Sequence, residues 1–231
     1  MLGLVLLAAA LTDQMWTEGK PVYDATLRHP YLQGLADGSL PKASFQFYLI
    51  EDAKYLRAFG NALRELAKKA PRREWTITLN KHATEAIDAE RQLHQSLLAS
   101  YGVSKSRGPM APTNYAYTNH FRQAVDRGTF AEGLAAMLPC YWIYWEAGKE
   151  LVKRGSKDKD YQRWIDQYAS EGYGATVRQV LDMMNADAAR LTPAQRLRTI
   201  ELFVISARYE YMFWDMAWRR ETWPPTASQG K

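Results

Sequence analysis

The chain has 231 residues, a formal net charge of +5 and a mean hydropathy of −0.43, with 47% hydrophobic and 24% charged residues. These values are typical of a globular protein long enough to bury a sizeable core. The single cysteine excludes an internal disulfide framework and a cysteine-based metal cage, and it fits a reducing compartment, so we expect a cytoplasmic location.

The first segment, Met1 to Leu11, reads "MLGLVLLAAAL" and allows two interpretations. It is apolar like a leader peptide, but no Lys or Arg precedes the apolar run. It is also too short to span a bilayer, and no other stretch approaches that length, so we expect no membrane partner. The alternatives are a leader that leaves a minority chance of export, or an extension or the start of the first helix.

Helical spacing of apolar residues covers most of the rest of the chain, and no stretch predicts a strand convincingly. A first long helix is predicted from about Ser39 to Ala70, ended by Pro71. The basic side chains around this end have no aromatic residues among them, which indicates a solvated connection and no nucleic-acid partner. They are Lys68, Lys69, Arg72 and Arg73.

A second helix is predicted from Arg72 to Tyr101, with Gly102 just past its end. A loop rich in Pro and Gly, 105–113, then precedes a shorter helix that ends near Arg127.

Thr129 and Glu132 predict a capping box, and hence a helix from Phe130 to Lys153. Two shorter helices are expected at 158–170 and 175–189. Thr192 and Gln195 repeat the start signal for a last helix to about Arg220. The sequence therefore predicts an all-α, single-domain helical bundle of seven or eight helices over 13–221, with an extension at 1–12 and a tail at 222–231.

Cys140 lies in an apolar, aromatic part of the predicted helix that begins at Phe130. A lone cysteine there is commonly a small core residue. Two neighbours suggest more: Tyr144 lies one turn on and shares the face of the thiol, and Pro139 removes a backbone donor and should bend the helix. From the residues alone, an inert thiol and a reactive one both stay open.

Two carboxylates interrupt the apolar faces of other predicted helices. Asp52 lies at the centre of an aromatic stripe that includes Tyr48, Tyr55 and Phe59. Glu210 interrupts a similar stripe in the last helix, whereas Asp215 falls elsewhere on that helix, where we expect solvent. A buried carboxylate needs a hydrogen-bond partner, so each is either paired in the core or faces a polar cavity. With Cys140 they could form an acid–thiol site, although spacing cannot show that they converge.

A metal site is the competing interpretation of carboxylates in a helical bundle, because di-iron proteins use Glu-x-x-His on two helices. The nearest candidates here are Glu90 with His94 and Glu85 with His82. His29 and His120 supply no matching motif on another helix, so we expect no metal.

Five segments together resemble the TenA (thiaminase II) family, in the family's order and over nearly the whole chain. They are "HPYLQGLADGSLPKASFQFYLIEDAKYLRAF", "PTNYAYTNHF", "FAEGLAAMLPCYWIYWEAGKEL", "YQRWIDQYAS" and "FVISARYEYMFWDMAW". The resemblance implies an all-α fold like that of haem oxygenase, a homotetramer and no cofactor. It implies hydrolysis of 4-amino-5-aminomethyl-2-methylpyrimidine to the 5-hydroxymethyl pyrimidine for thiamin salvage, and cleavage of thiamin as a further activity.

The same resemblance implies roles for seven side chains. Cys140 would be the nucleophile that adds to the pyrimidine ring, Glu210 the general acid, and Tyr55 a donor that favours the thiolate. Asp52 would bind the amino group and ring nitrogen of the substrate. The remaining expected substrate contacts are Tyr117, Tyr144 and Tyr168.

Two departures from the family pattern lead to further expectations. Glu51 stands where the family usually has Gln, and we expect it on the outer face of its helix with little consequence. The stretch after Tyr168 matches the family less closely, which weakens what can be said of that corner of the pocket. Two other classes of function stay open: a non-catalytic protein that binds a thiamin-related pyrimidine, and a metal- or quinone-dependent enzyme of a related subfamily.

Overall fold

The computed structural model describes residues 9–100 and 108–225, without the side chains of 89–100. Within these ranges every regular element is an α-helix. Nine are present: α1 (Leu11–Leu27), α2 (Pro30–Asp37), α3 (Lys42–Lys68), α4 (Arg73–Ser100), α5 (Pro112–Arg127), α6 (Phe130–Val152), α7 (Lys159–Ala169), α8 (Glu171–Ala188) and α9 (Pro193–Arg219). The all-α prediction is confirmed, with more helices than expected.

The helix ends follow from local side-chain chemistry. Thr129 and Glu132 form the predicted capping box at the start of α6, and Thr192 and Gln195 form the one at the start of α9. Gly38 ends α2 with φ of +83°, a left-handed conformation that suits glycine. These caps use donors and acceptors within a few residues of one another, which is why the sequence predicts them well.

The central helix of the bundle is α6, which packs against α5, α7, α8 and α9 and also touches α3. Its residues are apolar nearly all round, as expected for a helix enclosed by others. The helix runs through Pro139 without interruption, so Cys140 lies in a continuous helix near the middle of the molecule.

The start of α8 differs from the prediction. Ser170 ends α7 and also caps α8, where its hydroxyl accepts from the backbone N–H of Tyr173. The helix therefore begins at Glu171, four residues before the expected position. Glycine is a poor helix former, but close packing of Gly174 on Trp145 of α6 requires a residue without a side chain at this point of α8.

The two ends of the chain make contacts that local patterns do not reveal. Leu11 and Thr12, in the predicted extension, are buried in α1, and the N–H of Thr12 donates to Asn185. At the other end, Glu221 accepts from the N–H of Thr113, and the indole of Trp223 donates to the carbonyl of Met110. Tyr101, Gly102 and residues 105–107 of the predicted loop lie outside the described residues, as do 1–8 and 226–231.

Lys69 and Asp215, both expected at solvated positions, contact other parts of the chain. Lys69, in the basic cluster, donates to the carbonyls of Asp126 and Gly128, at 3.0 and 2.9 Å, and so supports the carboxyl end of α5. Asp215, expected in solvent, is only partly exposed, because its carboxylate pairs with Arg219 and contacts His29. Among the described helices, none has the length and hydropathy needed to cross a membrane.

Candidate active site

A cavity of about 150 Å³ brings together residues from five helices around Cys140. Asp52 of α3 and Tyr144 of α6 line it, and α7 contributes Tyr168. Four of the seven predicted site residues therefore line one cavity. The other lining residues are Leu56, Phe59, His82, Glu85, Ala86, Tyr141, Gln167, Tyr173 and Thr176.

The aromatic walls are fixed by close helix packing. A Cβ at Gly148 of α6 would lie 2.7 Å from the backbone carbon of Tyr168, so only glycine lets α7 approach α6 this closely. The rings of Tyr144 and Tyr168 are then 4.8 Å apart, and those of Tyr168 and Tyr173 are 5.0 Å apart and perpendicular. These rings form a box of flat apolar surfaces that suits a planar aromatic ligand.

Tyr173 is a site residue that sequence reasoning missed. Its ring lines the cavity, and its hydroxyl donates to the backbone carbonyl of Cys140 at 3.1 Å. It lies in the stretch that matches the family less closely, and the helix predicted at 175–189 does not include it. The serine cap at Ser170 could have identified the helix start, and with it the face that carries Tyr173.

The other three predicted site residues lie behind the cavity wall rather than on it. Glu210 of α9 is buried, 1% exposed, and the hydroxyl of Tyr117 donates to its Oε1 at 2.7 Å. The ring of Tyr55 packs 5.2 Å from the ring of Tyr117. Tyr117, expected to contact substrate, does not line the cavity, and its hydroxyl contacts Glu210.

The charge state of Glu210 differs from that of a surface carboxylate. Burial, opposed by the hydrogen bond from Tyr117 and reinforced by the nearby charge of Asp52, raises the pKa of Glu210 to about 8. The group therefore carries a proton at neutral pH, which is the state that a general acid requires.

The thiol of Cys140 is also held in its neutral form. Burial raises its pKa well above the ordinary value, and the charges of Glu210 and Asp52 add to this effect, while Tyr55 lowers the pKa. The direction of the Tyr55 effect is the one expected, but it is smaller than the effect of burial. A thiolate therefore has to form during the reaction, when substrate and proton acceptor are in place.

The expectation for Glu51 is wrong. Glu51 is buried, 3% exposed, and its carboxylate accepts from Lys54 Nζ at 2.6 Å, the N–H of Ala111 at 2.9 Å and Asn114 Nδ2 at 2.8 Å. The face of α3 that seemed external is covered by the start of α5. Glu51 joins these two helices and does not line the cavity.

The metal candidates separate into two groups. His82 and Glu85 both line the cavity, whereas the side chains of Glu90 and His94 lie outside the described residues. Among the side chains that are described, no three from His, Cys, Asp and Glu come together as a metal site would need.

Comparison with known proteins identifies the family. The family model described as "TENA/THI-4/PQQC family" matches residues 16–220. The aminopyrimidine aminohydrolase of Bacillus subtilis (strain 168) is 35% identical over 215 residues, 92% of this chain and 89% of that protein. An enzyme of the same name from Halalkalibacterium halodurans is 28% identical, over 90% of this chain and 96% of that protein.

Solved structures agree with the sequence comparison. The structure titled "TenA homologue protein from P.horikoshii OT3" matches with a TM-score of 0.83 and 26% identity, over 91% of this chain and 99% of that chain. A matching structure from Shewanella denitrificans, 13% identical with a TM-score of 0.69, is described as having a heme oxygenase-like fold, as we expected for this chain. The chain belongs to the TENA/THI-4/PQQC family.

Proposed function

We propose that this protein is an aminopyrimidine aminohydrolase that converts 4-amino-5-aminomethyl-2-methylpyrimidine to the 5-hydroxymethyl pyrimidine by nucleophilic attack of Cys140. The observation that carries the proposal is the cavity itself, a space of about 150 Å³ lined by the thiol of Cys140, the carboxylates of Asp52 and Glu85, and an aromatic box. The family membership and the named activity of the relative in Bacillus subtilis support the same reaction.

Each group has a role that its surroundings support. Asp52 accepts from the 4-amino group and fixes the ring, which packs against the aromatic wall that Tyr144 and Tyr168 form together. The sulfur of Cys140 bonds to C6 of the ring as a ring nitrogen takes up a proton, which ends the aromaticity of the pyrimidine. The electron pair released in the ring then expels the amine from the C5 methylene, water adds to that carbon, and the sulfur leaves.

Glu210 supplies the proton in this scheme. Its raised pKa keeps a proton beside Cys140, so the carboxyl can protonate the ring and then accept the proton of the thiol. Glu210 does not line the cavity, so the transfer requires bound substrate to draw the carboxyl toward the wall. Catalytic hydrogen bonds commonly tighten only in the substrate complex.

The cavity volume supports the smaller substrate. Pockets that hold drug-sized ligands usually measure about 300–1,000 Å³, whereas this cavity measures about 150 Å³. We therefore propose that the single-ring aminopyrimidine has a higher kcat/KM than thiamin, whose second ring needs more space. Homotetrameric assembly, which the family resemblance implies, and a cytoplasmic location, which the single cysteine favours, complete the proposal.

Ammonia release from the aminomethyl pyrimidine tests the proposed function. Wild-type protein should release ammonia, and Cys140→Ser should release none above background while still binding the hydroxymethyl product. Because Cys140 is the single cysteine of the chain, alkylation by iodoacetamide should also abolish activity, and the product should protect against it.

Two results would redirect the proposal. Ammonia release that survives Cys140→Ser would exclude the nucleophile. Tight binding by wild-type protein without any release would support a non-catalytic pyrimidine-binding protein instead, and metal analysis of the active sample would test the metal-dependent alternative.

A further inference from the structure

The wall that α4 contributes to the cavity has no role in the chemistry above. His82 and Glu85, three residues apart on one face of this helix, both line the space around Cys140. The position of this pair in the same cavity as the thiol suggests a role in recognising substrate.

His82 contributes no positive charge to this wall. Its Nε2 contacts the side-chain oxygen of Gln179 at 3.0 Å, and its Nδ1 lies 3.4 Å from the hydroxyl of Tyr141. A ring with its N–H on Nε2 satisfies both contacts, because the amide oxygen accepts and the tyrosine donates. Burial lowers the pKa of His82, so the neutral ring is favoured.

Glu85 provides the charge at this wall. Its side chain is 51% exposed and forms an ion pair with Lys81, whose amine is 3.6 Å away and whose side chain is 69% exposed. An exposed ion pair at this distance contributes little free energy, so Lys81 holds the carboxylate of Glu85 only weakly. Among the described residues that line the cavity there is no Lys or Arg, so the wall near Glu85 favours cations.

Helix packing separates Glu85 from Asp52 along the cavity. Asp52, Leu56 and Phe59 lie along one face of α3. The helix rises about 10 Å between Asp52 and Phe59. A Cβ at Gly60, next to Phe59, would lie 3.0 Å from the carbonyl oxygen of Ala83 and from the side chain of Ile87. Glu85 therefore lies beside the Phe59 end of this face, away from Asp52.

Substrate chemistry matches this separation. N3 and C5 flank C4 on opposite sides, so a ring held by Asp52 at its 4-amino group and N3 directs its C5 substituent to the side of the amino group that is remote from N3. The 5-aminomethyl group is an ammonium at neutral pH, and the corresponding group of thiamin is a thiazolium. In both compounds the departing group is a cation attached through one methylene.

We propose that Glu85, at the outer end of the cavity, recognises the positive charge on the C5 substituent and so selects pyrimidines with a cationic leaving group. This inference rests on the proposed function, because it takes the aminopyrimidine as substrate. Glu85 is a specificity-determining residue in this proposal, and His82 and Tyr141 form the neutral wall beside it.

The experiment compares two ligands that share the ring and differ in charge: the aminomethyl substrate and the hydroxymethyl product. Dissociation constants are measured at pH 7 by calorimetry in Cys140→Ser, so that no turnover occurs. Adding Glu85→Gln should weaken binding of the aminomethyl pyrimidine about fivefold and leave binding of the hydroxymethyl pyrimidine unchanged. Glu74→Gln, the same charge change elsewhere on α4 and away from the cavity, should change neither constant.

Equal weakening of both ligands by Glu85→Gln, or no change in either, would overturn the proposal. A selective loss that Glu74→Gln reproduces would also overturn it, since a general field effect would then explain the result. The binding ratio does not depend on catalysis, so wild-type protein that releases no ammonia would contradict the proposed function without deciding the role of Glu85.

Discussion

Two buried glutamates in this protein have opposite surroundings. Glu51, where α3 meets α5, accepts from an ammonium group, a backbone N–H and an amide. The carboxyl of Glu210, behind the cavity, accepts from the hydroxyl of Tyr117, and burial raises its pKa to about 8. Similar burial therefore serves two purposes: a fully paired carboxylate joins helices, and a poorly paired one stores a proton next to a thiol.

The largest expected effect concerns the proposed role of Glu210 as proton donor. Glu210→Gln removes the stored proton but keeps the shape of the side chain, so kcat for ammonia release should fall about 10²- to 10⁴-fold. Glu51→Gln is the matched control and should keep kcat within a few-fold of wild type. Equal losses in the two variants would contradict the distinction between the two glutamates.

Removing the carboxylate of Glu51 tests its role in holding α3 and α5 together. Glu51→Leu leaves the N–H of Ala111 without its acceptor and removes one of two acceptors each from Lys54 and Asn114, which keep the carbonyls of Pro109 and Glu51, so the free energy of unfolding should fall by about 1–3 kcal/mol. Urea unfolding measures this loss. Glu51→Gln, which keeps one acceptor oxygen, should lose much less, and equal losses would mean that the carboxylate charge is essential.

The pH dependence of stability should distinguish the two residues as well. The pKa of Glu210 rises from 4.5 in a model peptide to about 8 in the fold, so its protonated form stabilises the protein fully below pH 4.5. This stabilisation is lost as pH rises from 4.5 to about 8, and above that pH the residue causes no further change in the free energy of unfolding. Relative to wild type, Glu210→Gln should therefore gain a few kcal/mol between pH 5 and pH 8.5 in urea unfolding. A difference that does not change with pH would contradict the raised pKa.

The smallest effect concerns the partner of Glu210. The hydrogen bond from Tyr117 lowers the pKa of Glu210, so Tyr117→Phe should raise that pKa further. The alkaline decline of kcat/KM should then move to higher pH, with less than about a tenfold change in the maximum rate. An unchanged pH profile combined with a higher KM would instead indicate that Tyr117 contacts substrate.

The sequence predicted those features that depend on neighbours along the chain. Both capping boxes were predicted because their donors and acceptors lie within three residues. Asp52 and Glu210 were found because a carboxylate on an apolar helix face is costly unless something compensates it. The resemblance to a known family then united these residues with Cys140 as one site, and the fold class followed from helical spacing and the same resemblance.

Contacts between distant helices decided the rest. Glu51 adjoins Asp52 in the chain and points about 100° away around α3, and only the arrival of α5 on that side buries it. The hydroxyl of Tyr173 reaches Cys140 because α8 packs against the central helix, and Glu85 shares the cavity because α4 packs against α3. Helix periodicity describes one element at a time, whereas burial, pKa and cavity volume depend on all the elements that surround a group, so the tertiary structure alone determined them.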